Sequence, residues 1–405
     1  MISRVANAYE ERADLQPMHW EIAGAFGDIG ILFPIAIALI SLCHVNPTAI
    51  FLTAGISYIL AGAYFRIPIS VQPFKAVAAI ALALHLAPSS IASAGVLMGV
   101  LLALVGLTNL VTPLARLFSL PIVRGIQLGL GLILLREGIR LSLGWNSGLV
   151  LSGGVSVPAW MLALGAAAVL VVCQRSRRVP AALVLLGGAI ALGLVAHWGR
   201  LGSLEWGPVP LRVLHPSFDE FRTVLTLLVL PQFALTFGNS IIATENTAHL
   251  LYGREADRVT ARALSISIAL MNLIGGTIMS APCCHGSGGI TAHYKFGART
   301  PRASYVVGAV CLLLALFGRD AVTVLGFIPT AVLGVFLIYV GFQHASLIRD
   351  IVNAPAPLTI AACVGLVSVA TTNLSYGFVA GFLLRGAMAL FAKVRAAMTQ
   401  TPVQA

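Results

Sequence analysis

Two stretches of this chain interrupt apolar runs with residue types that suit a charged ligand. The first reads Ile67-Pro68-Ile69-Ser70-Val71-Gln72-Pro73-Phe74-Lys75-Ala76 and leads into an Ala-rich run. The second reads Ala281-Pro282-Cys283-Cys284-His285-Gly286-Ser287-Gly288-Gly289. Each predicts a short extended piece followed by a helix that starts within the apolar region. Pro73 suits the first helical position of one, and a Gly-Ser turn opens the other. A helix start presents unpaired N–H groups and about half a positive charge. Gly286, Gly288 and Gly289 let backbone N–H groups approach a guest closely. Two such starts aimed at one point, together with Lys75, sum to roughly +2, the complement of a dianion. Gln72, Phe74, Lys75, His285, Gly286, Ser287 and Gly288 are therefore candidate ligand-binding residues. Other uses stay open: Gln72, Ser287 and His285 as partners for broken backbone, and Lys75 reaching to an interface.

Three further positions carry polar groups into apolar surroundings. Asp28 lies in Gly24-Ala25-Phe26-Gly27-Asp28-Ile29-Gly30, where a carboxylate is costly and by default functional. It fits a coupling site for a proton, and equally a structural partner for Lys75 or a backbone break. Gln232 and Asn239 fit the lining of the same cavity, while Glu245 reads as a cavity or surface residue. Cys283-Cys284-His285 lacks metal-ligand spacing, and the six cysteines form no CxxC pair; they read as small buried hydrophobes. No P-loop and no nucleophile–base pair of recognisable spacing is present, so neither a cofactor nor enzyme chemistry is indicated.

The elements that position these residues follow from composition. The chain has 405 residues, 58% hydrophobic and 10% charged, far below the roughly 25% charge of soluble domains. Apolar spans read at 22–41, 48–65, 90–110, 119–139, 158–173, 180–197, 222–244, 256–275, 303–317, 318–340, 357–372 and 374–392. With the broken segments 66–87 and 276–299 that makes fourteen passages. The net charge of +11 is scattered between spans, which argues against nucleic acid. With both termini cytoplasmic, 17 of the 25 Lys and Arg fall inside and 6 outside, with Lys75 and Arg124 in spans. That bias follows the positive-inside rule. The cluster Arg175-Ser176-Arg177-Arg178 reads as a topology determinant.

The halves repeat. His285 follows Gln72 by 213 residues, Ile328-Pro329 follows Leu120-Pro121 by 208, and Gly238-Asn239 answers Gly27-Asp28. Seven passages per half is odd, so the halves are inverted relative to each other, a transporter architecture. The expected fold is all-α and polytopic, a 7+7 inverted repeat broken at segments 3 and 10.

At these residues the chain resembles a known family. Gly27-Asp28-Ile29-Gly30 with Pro34, Val71-Gln72-Pro73-Phe74-Lys75-Ala76, Pro231-Gln232 through Gly238-Asn239, and His285-Gly286-Ser287-Gly288-Gly289 through Tyr294-Lys295-Phe296-Gly297-Ala298-Arg299 look like the molybdate transporter family of the sulfate-permease (SulP) superfamily. The likeness runs from about residue 17 to 394. It implies a core of spans 1–4 (22–115) and 8–11 (222–317), and a gate of spans 5–7 (116–197) and 12–14 (318–394). A cytoplasmic segment 1–21, an outer linker 198–221 and a tail 395–405 complete the chain. The superfamily's STAS domain is not expected, in keeping with the molybdate branch, and the membrane part alone could still form a homodimer. The implied work is secondary active uptake of molybdate through the cell (inner) membrane, with sulfate transport or an anion channel as alternatives. Bringing a dianion in against an interior-negative 100 mV costs about 4.6 kcal/mol, which motivates proton coupling at Asp28.

Overall fold

The computed structural model describes residues 17–108, 110–111, 113–114, 119–144, 149–150, 156–174, 181–197, 207–215, 217–320 and 328–399. The N-terminal segment 1–16, the Arg175–Arg178 cluster, part of the linker 198–221, the stretch 321–327 in the expected twelfth span and the end of the tail lie outside these residues. Helices dominate: α1 (Met18–Cys43), α2 (Pro47–Phe65), α3 (Lys75–Leu84), α4 (Pro88–Leu107), α5 (Leu120–Leu143), α6 (Ala159–Gln174) and α7 (Ala181–Ala196) in the first half. The second half contributes α8 (Phe218–Ala256), α9 (Ala261–Thr277), α10 (Ser287–Lys295), α11 (Arg302–Leu316), α12 (Thr330–Ala345), α13 (Pro355–Thr371) and α14 (Leu374–Thr399). Strand β1 (Gln72–Pro73) precedes α3, and β4 (Cys283–Cys284) precedes α10; β2 (Leu149–Val150) and β3 (Ser156–Val157) form a small antiparallel pair before α6.

Local sequence explains many helix ends. Proline opens α2, α4, α5 and α13, where its missing N–H has no intrahelical partner to lose. Asn46 caps α2 by accepting from Ala49 N–H, and Thr260 caps α9 by accepting from Ala263 N–H. Among the described residues, five helices are long and apolar enough to cross a membrane by length and composition. Large apolar side chains also cover the outside, among them Leu60, Leu107, Val172, Leu383 and Phe391. A protein apolar both inside and out is built for lipid rather than water.

Helix α8 runs for 39 residues, well beyond the expected 222–244. Two π-helical segments, Leu225–Val229 and Thr236–Ile242, interrupt its α-helical hydrogen bonding. The first ends beside Pro231, which cannot donate an intrahelical bond. The second carries Asn239 and Ser240, and wide turns of this kind are frequent at functional sites.

The two broken segments meet in the interior. β1 pairs antiparallel with β4, Gln72 opposite Cys284 and Pro73 opposite Cys283. Phe74 N–H donates to Pro282 O at 2.8 Å, which holds residue 74 as an extended cap. Helix α3 therefore starts at Lys75, two residues later than the Pro73 start expected from sequence. Side chains close the remaining backbone gaps. Asn272 donates to Cys283 O and accepts from Cys283 N–H, at 2.6 and 2.9 Å. Ser304 Oγ accepts from Ile69 N–H and donates to Ile69 O, both at 3.0 Å. Ser70 Oγ does the same for Gly286, at 2.9 and 2.8 Å. Irregular backbone inside an apolar protein persists only where its groups are paired in this way. Asn272→Ala strands the N–H and C=O of Cys283, each orphan costing about 1–3 kcal/mol. A lowered thermal unfolding midpoint in detergent is expected, and an unchanged midpoint contradicts the assigned role.

Candidate functional site

The crossing point opens onto a small polar cavity with a volume of about 20 Å³, room for a water-sized guest. Gln72 from β1, Lys75 from α3, Gln127 from α5, Gln232, Leu235, Asn239 and Ser240 from α8, Cys284 and Gly286 from the second break, and His344 from α12 line it. The sequence thus brings Gln72, Lys75, Gln232, Asn239 and Gly286 together as expected. Lys75 is the first residue of its helix, and its ammonium makes no hydrogen bond or ion pair among the described residues. Among the described residues, no carboxylate lines the cavity.

Its amides are oriented by what stands behind them. Arg124, itself paired with Asp350 at 2.5 Å, donates from Nη1 to Gln127 Oε1 at 2.8 Å. A guanidinium only donates, so the Gln127 oxygen faces Arg124 and its NH₂ is left for the cavity. Gln232 Oε1 accepts from the N–H groups of Ala76 and Val77 at 2.9 and 3.4 Å. Its NH₂ donates to Thr236 Oγ1 at 2.9 Å and keeps a second hydrogen. Ser287 Oγ donates to Asn239 Oδ1 at 2.9 Å, again leaving an NH₂. Gln72 Oε1 is a buried acceptor without a partner among the described residues, whereas Gln127, Gln232, Asn239 and Lys75 offer donors, the chemistry that an acceptor-only anion requires.

Several expectations change in detail. Two first-turn amides of α3, those of Ala76 and Val77, already donate to Gln232 Oε1. Gly286 N–H is likewise taken, by Ser70 Oγ. In α10 the amides of Ser287 and Gly288 keep no acceptor among the described residues. Gly289 serves packing rather than a ligand: a Cβ there would stand 2.3 Å from Ser70 Cβ and 2.5 Å from Asp28 Oδ1 and Gln72 Nε2. Phe74 is buried away from the cavity. His285 is fully buried with both ring nitrogens engaged, at 2.8 Å from Ser70 O and 2.8 Å from Ser267 Oγ. Glu245 accepts from Ala261 N–H at 3.1 Å, at the start of α9.

Asp28 sits behind the cavity, fully buried. Its Oδ1 accepts from Gln72 Nε2 at 2.5 Å, its Oδ2 accepts from the Tyr58 hydroxyl, and His293 Nε2 lies 3.3 Å from Oδ2. Gln72 therefore belongs both to the cavity and to the Asp28 cluster. Sequence reading missed Gln127, Ser240 and His344 in the lining and Tyr58, Ser70 and His293 behind it. Polar residues in apolar helices were the available signal. A second, wider pocket of about 260 Å³ lies near the end of α1, lined by mostly apolar groups with His44, Asn46 and Arg212.

With this geometry in place, comparison with known proteins is informative. Residues 20–134 and 225–343 match the family described as "Molybdate transporter of MFS superfamily". The chain belongs to that family. It is 29% identical over 406 residues to Molybdate transporter 2 of Arabidopsis thaliana, covering 91% of this chain and 87% of the relative. Its fold is similar to that of SLC26A9, with a TM-score of 0.66 at 15% identity, covering 93% of this chain and 66% of the other. The transmembrane domain of the cyanobacterial bicarbonate transporter BicA gives a TM-score of 0.64 at 18% identity, with 90% of this chain and 97% of that chain covered. The family description names the MFS superfamily, whereas these folds are of the SLC26/SulP kind. This member of the molybdate transporter family is an integral membrane protein of mostly helical, SLC26/SulP-like fold.

The contrast between neighbouring glycines is testable. Gly289→Ala forces α10 off the Asp28–Gln72 cluster at a cost of about 1–3 kcal/mol, whereas a Cβ at Gly288 meets nothing within 4 Å. Thermal melts in detergent should show a clear loss for Gly289→Ala and little for Gly288→Ala. Equal midpoints for the two variants refute the close-packing assignment.

Proposed function

We propose that this protein carries a tetrahedral oxyanion, molybdate first, into the cell by secondary active transport coupled to protons. The observation that carries the reading is the unpaired Lys75 in a cavity whose pinned amides offer donors and whose lining holds no carboxylate. The oxyanion would bridge Lys75 Nζ, the amides of Ser287 and Gly288, and the side-chain NH₂ groups of Gln127, Gln232 and Asn239. Gln72 would link this ligand to Asp28, the coupling residue. Phe74 and His285 would shape the site without touching the ligand.

The 7+7 inverted repeat is supported by helix packing. α4 packs on α9 and α2 on α11, and exchange of the two halves converts one pair into the other. α5 packs on α12, its own counterpart, and β1 likewise pairs with β4, its counterpart in the other half. In a core-and-gate arrangement, Gln127 and His344 would be the gate's contribution to a site otherwise built by the core, so closure of gate on core would be felt by the ligand. The charge bias of the loops supports both termini on the cytoplasmic side of the cell membrane.

Uptake of labelled molybdate into proteoliposomes tests the reading. Lys75→Ala removes the one lysine or arginine among the described residues that line the cavity, and charge-assisted hydrogen bonds of this kind contribute about 1.5–3 kcal/mol, so apparent affinity should fall roughly 10- to 100-fold. Unchanged affinity refutes the site. Preference for sulfate over molybdate would retain the site and change the substrate. Asp28→Asn should abolish stimulation by an inward proton gradient while molybdate–molybdate exchange persists; gradient-driven uptake at the wild-type rate contradicts coupling at Asp28.

A further inference from the structure

We propose that His293 is the second half of a one-proton site with Asp28, and that this pair, rather than the carboxylate alone, is linked to oxyanion binding through Gln72. The proposal rests on the proton-coupled reading above and names the residue that completes it.

His293 lies on α10, about one and a half turns beyond the amides of Ser287 and Gly288, and is fully buried. Its Nδ1 lies 3.0 Å from Gly24 O, which only accepts, so Nδ1 carries a proton. Nε2 lies 3.3 Å from Asp28 Oδ2 and has no other partner. If the imidazole were neutral and Asp28 ionised, Nε2 would present a lone pair to a carboxylate oxygen in a fully buried site. The other neutral tautomer sets the Nδ1 lone pair against Gly24 O instead. Both conflicts vanish when the pair holds one additional proton, as imidazolium with carboxylate or as imidazole with carboxylic acid. The two forms have the same net charge, and a proton passing from Nε2 to Oδ2 interconverts them.

The surrounding groups leave this proton to the pair. Tyr58 of α2 donates to Oδ2, and Gln72 of β1 donates to Oδ1. Lys75 of α3, Cys284 of β4, His285 and Cys311 of α11 lie within electrostatic reach of Asp28. On α1, Glu21 is occupied with the amides of Arg299 and Thr300. On α8, Tyr252 stands edge-on to Tyr294, next to His293 in sequence.

Losing the proton has a mechanical consequence. Gly289 already seats α10 against Asp28 without room for a Cβ, so an ionised Asp28 facing a bare Nε2 pushes on the helix whose first turn carries the Ser287 and Gly288 amides. Gln72, held by Asp28 on one side and exposed to the cavity on the other, feels the same change. Protonation therefore favours the arrangement in which the start of α10 and Lys75 face the ligand, and oxyanion binding is expected to take up a proton.

The test uses the full-length protein in proteoliposomes and reads molybdate uptake under an inward proton gradient beside molybdate–molybdate exchange. His293→Gln keeps a hydrogen-bonding amide but cannot titrate. It should lose the gradient stimulation and flatten the pH profile while exchange continues, and adding Asp28→Asn should cause no further loss, as for residues acting as one unit. If His293→Gln keeps wild-type stimulation while Asp28→Asn loses it, the pair is refuted and coupling at Asp28 stands. If neither variant loses stimulation, the coupled reading itself falls. Should His293→Gln fail to fold, nitrogen-15 spectra of histidine-labelled wild type decide. A histidine proton whose signal changes on adding molybdate, in step with proton uptake from the medium, supports the pair; a histidine set blind to molybdate across the titration overturns it.

Discussion

Backbone polarity at the centre of an apolar protein is the constraint on which the rest of this structure depends. Residues 66–74 and 278–286 are not helical, so their N–H and C=O groups require partners from elsewhere in the chain. The two breaks supply part of the answer to each other through the β1–β4 pair. Asn272, Ser304 and Ser70 supply most of the remainder. Once the breaks are tied together, two helices must begin at the same place, and the cavity at their starts is the consequence.

That cavity is selective in polarity before any ligand arrives. Arg124, the α3 amides and Ser287 each occupy one end of a carboxamide and leave the donor end for the guest. Such pinning acts through neighbouring hydrogen bonds rather than direct contact, and it lowers the reorganisation needed when an anion binds. Asp28 carries the opposite charge close by, yet Tyr58 and Gln72 occupy its oxygens and keep it out of the lining.

Much of this was legible in the residues. Two breaks 213 residues apart, a lysine at one of them and polar groups in otherwise apolar spans pointed to Gln72, Lys75, Gln232 and Asn239, which do share a cavity. What escaped depends on contacts between distant parts of the chain. Gln127 and His344 read as isolated polar residues until α5 packs on α12 and both side chains reach the cavity. His293 gave no separate signal, because its meaning lies in Gly24 O on one side and Asp28 on the other. The glycines carry a second role that sequence does not show: Gly286 lines the cavity but donates its N–H to Ser70, and Gly289 makes room for Asp28 and Gln72. The helix start at Lys75 rather than Pro73 likewise follows from a long-range bond, Phe74 N–H to Pro282 O.

The central claim is that an oxyanion is held where the two broken segments cross. Anomalous diffraction at the molybdenum absorption edge, from crystals of the protein grown with molybdate, tests it most directly because the scatterer is the ligand's own central atom. The account predicts one strong peak between Lys75 Nζ and the Ser287–Gly288 amides. A peak confined to the wider pocket beside His44 and Arg212, with the crossing point empty, would contradict it.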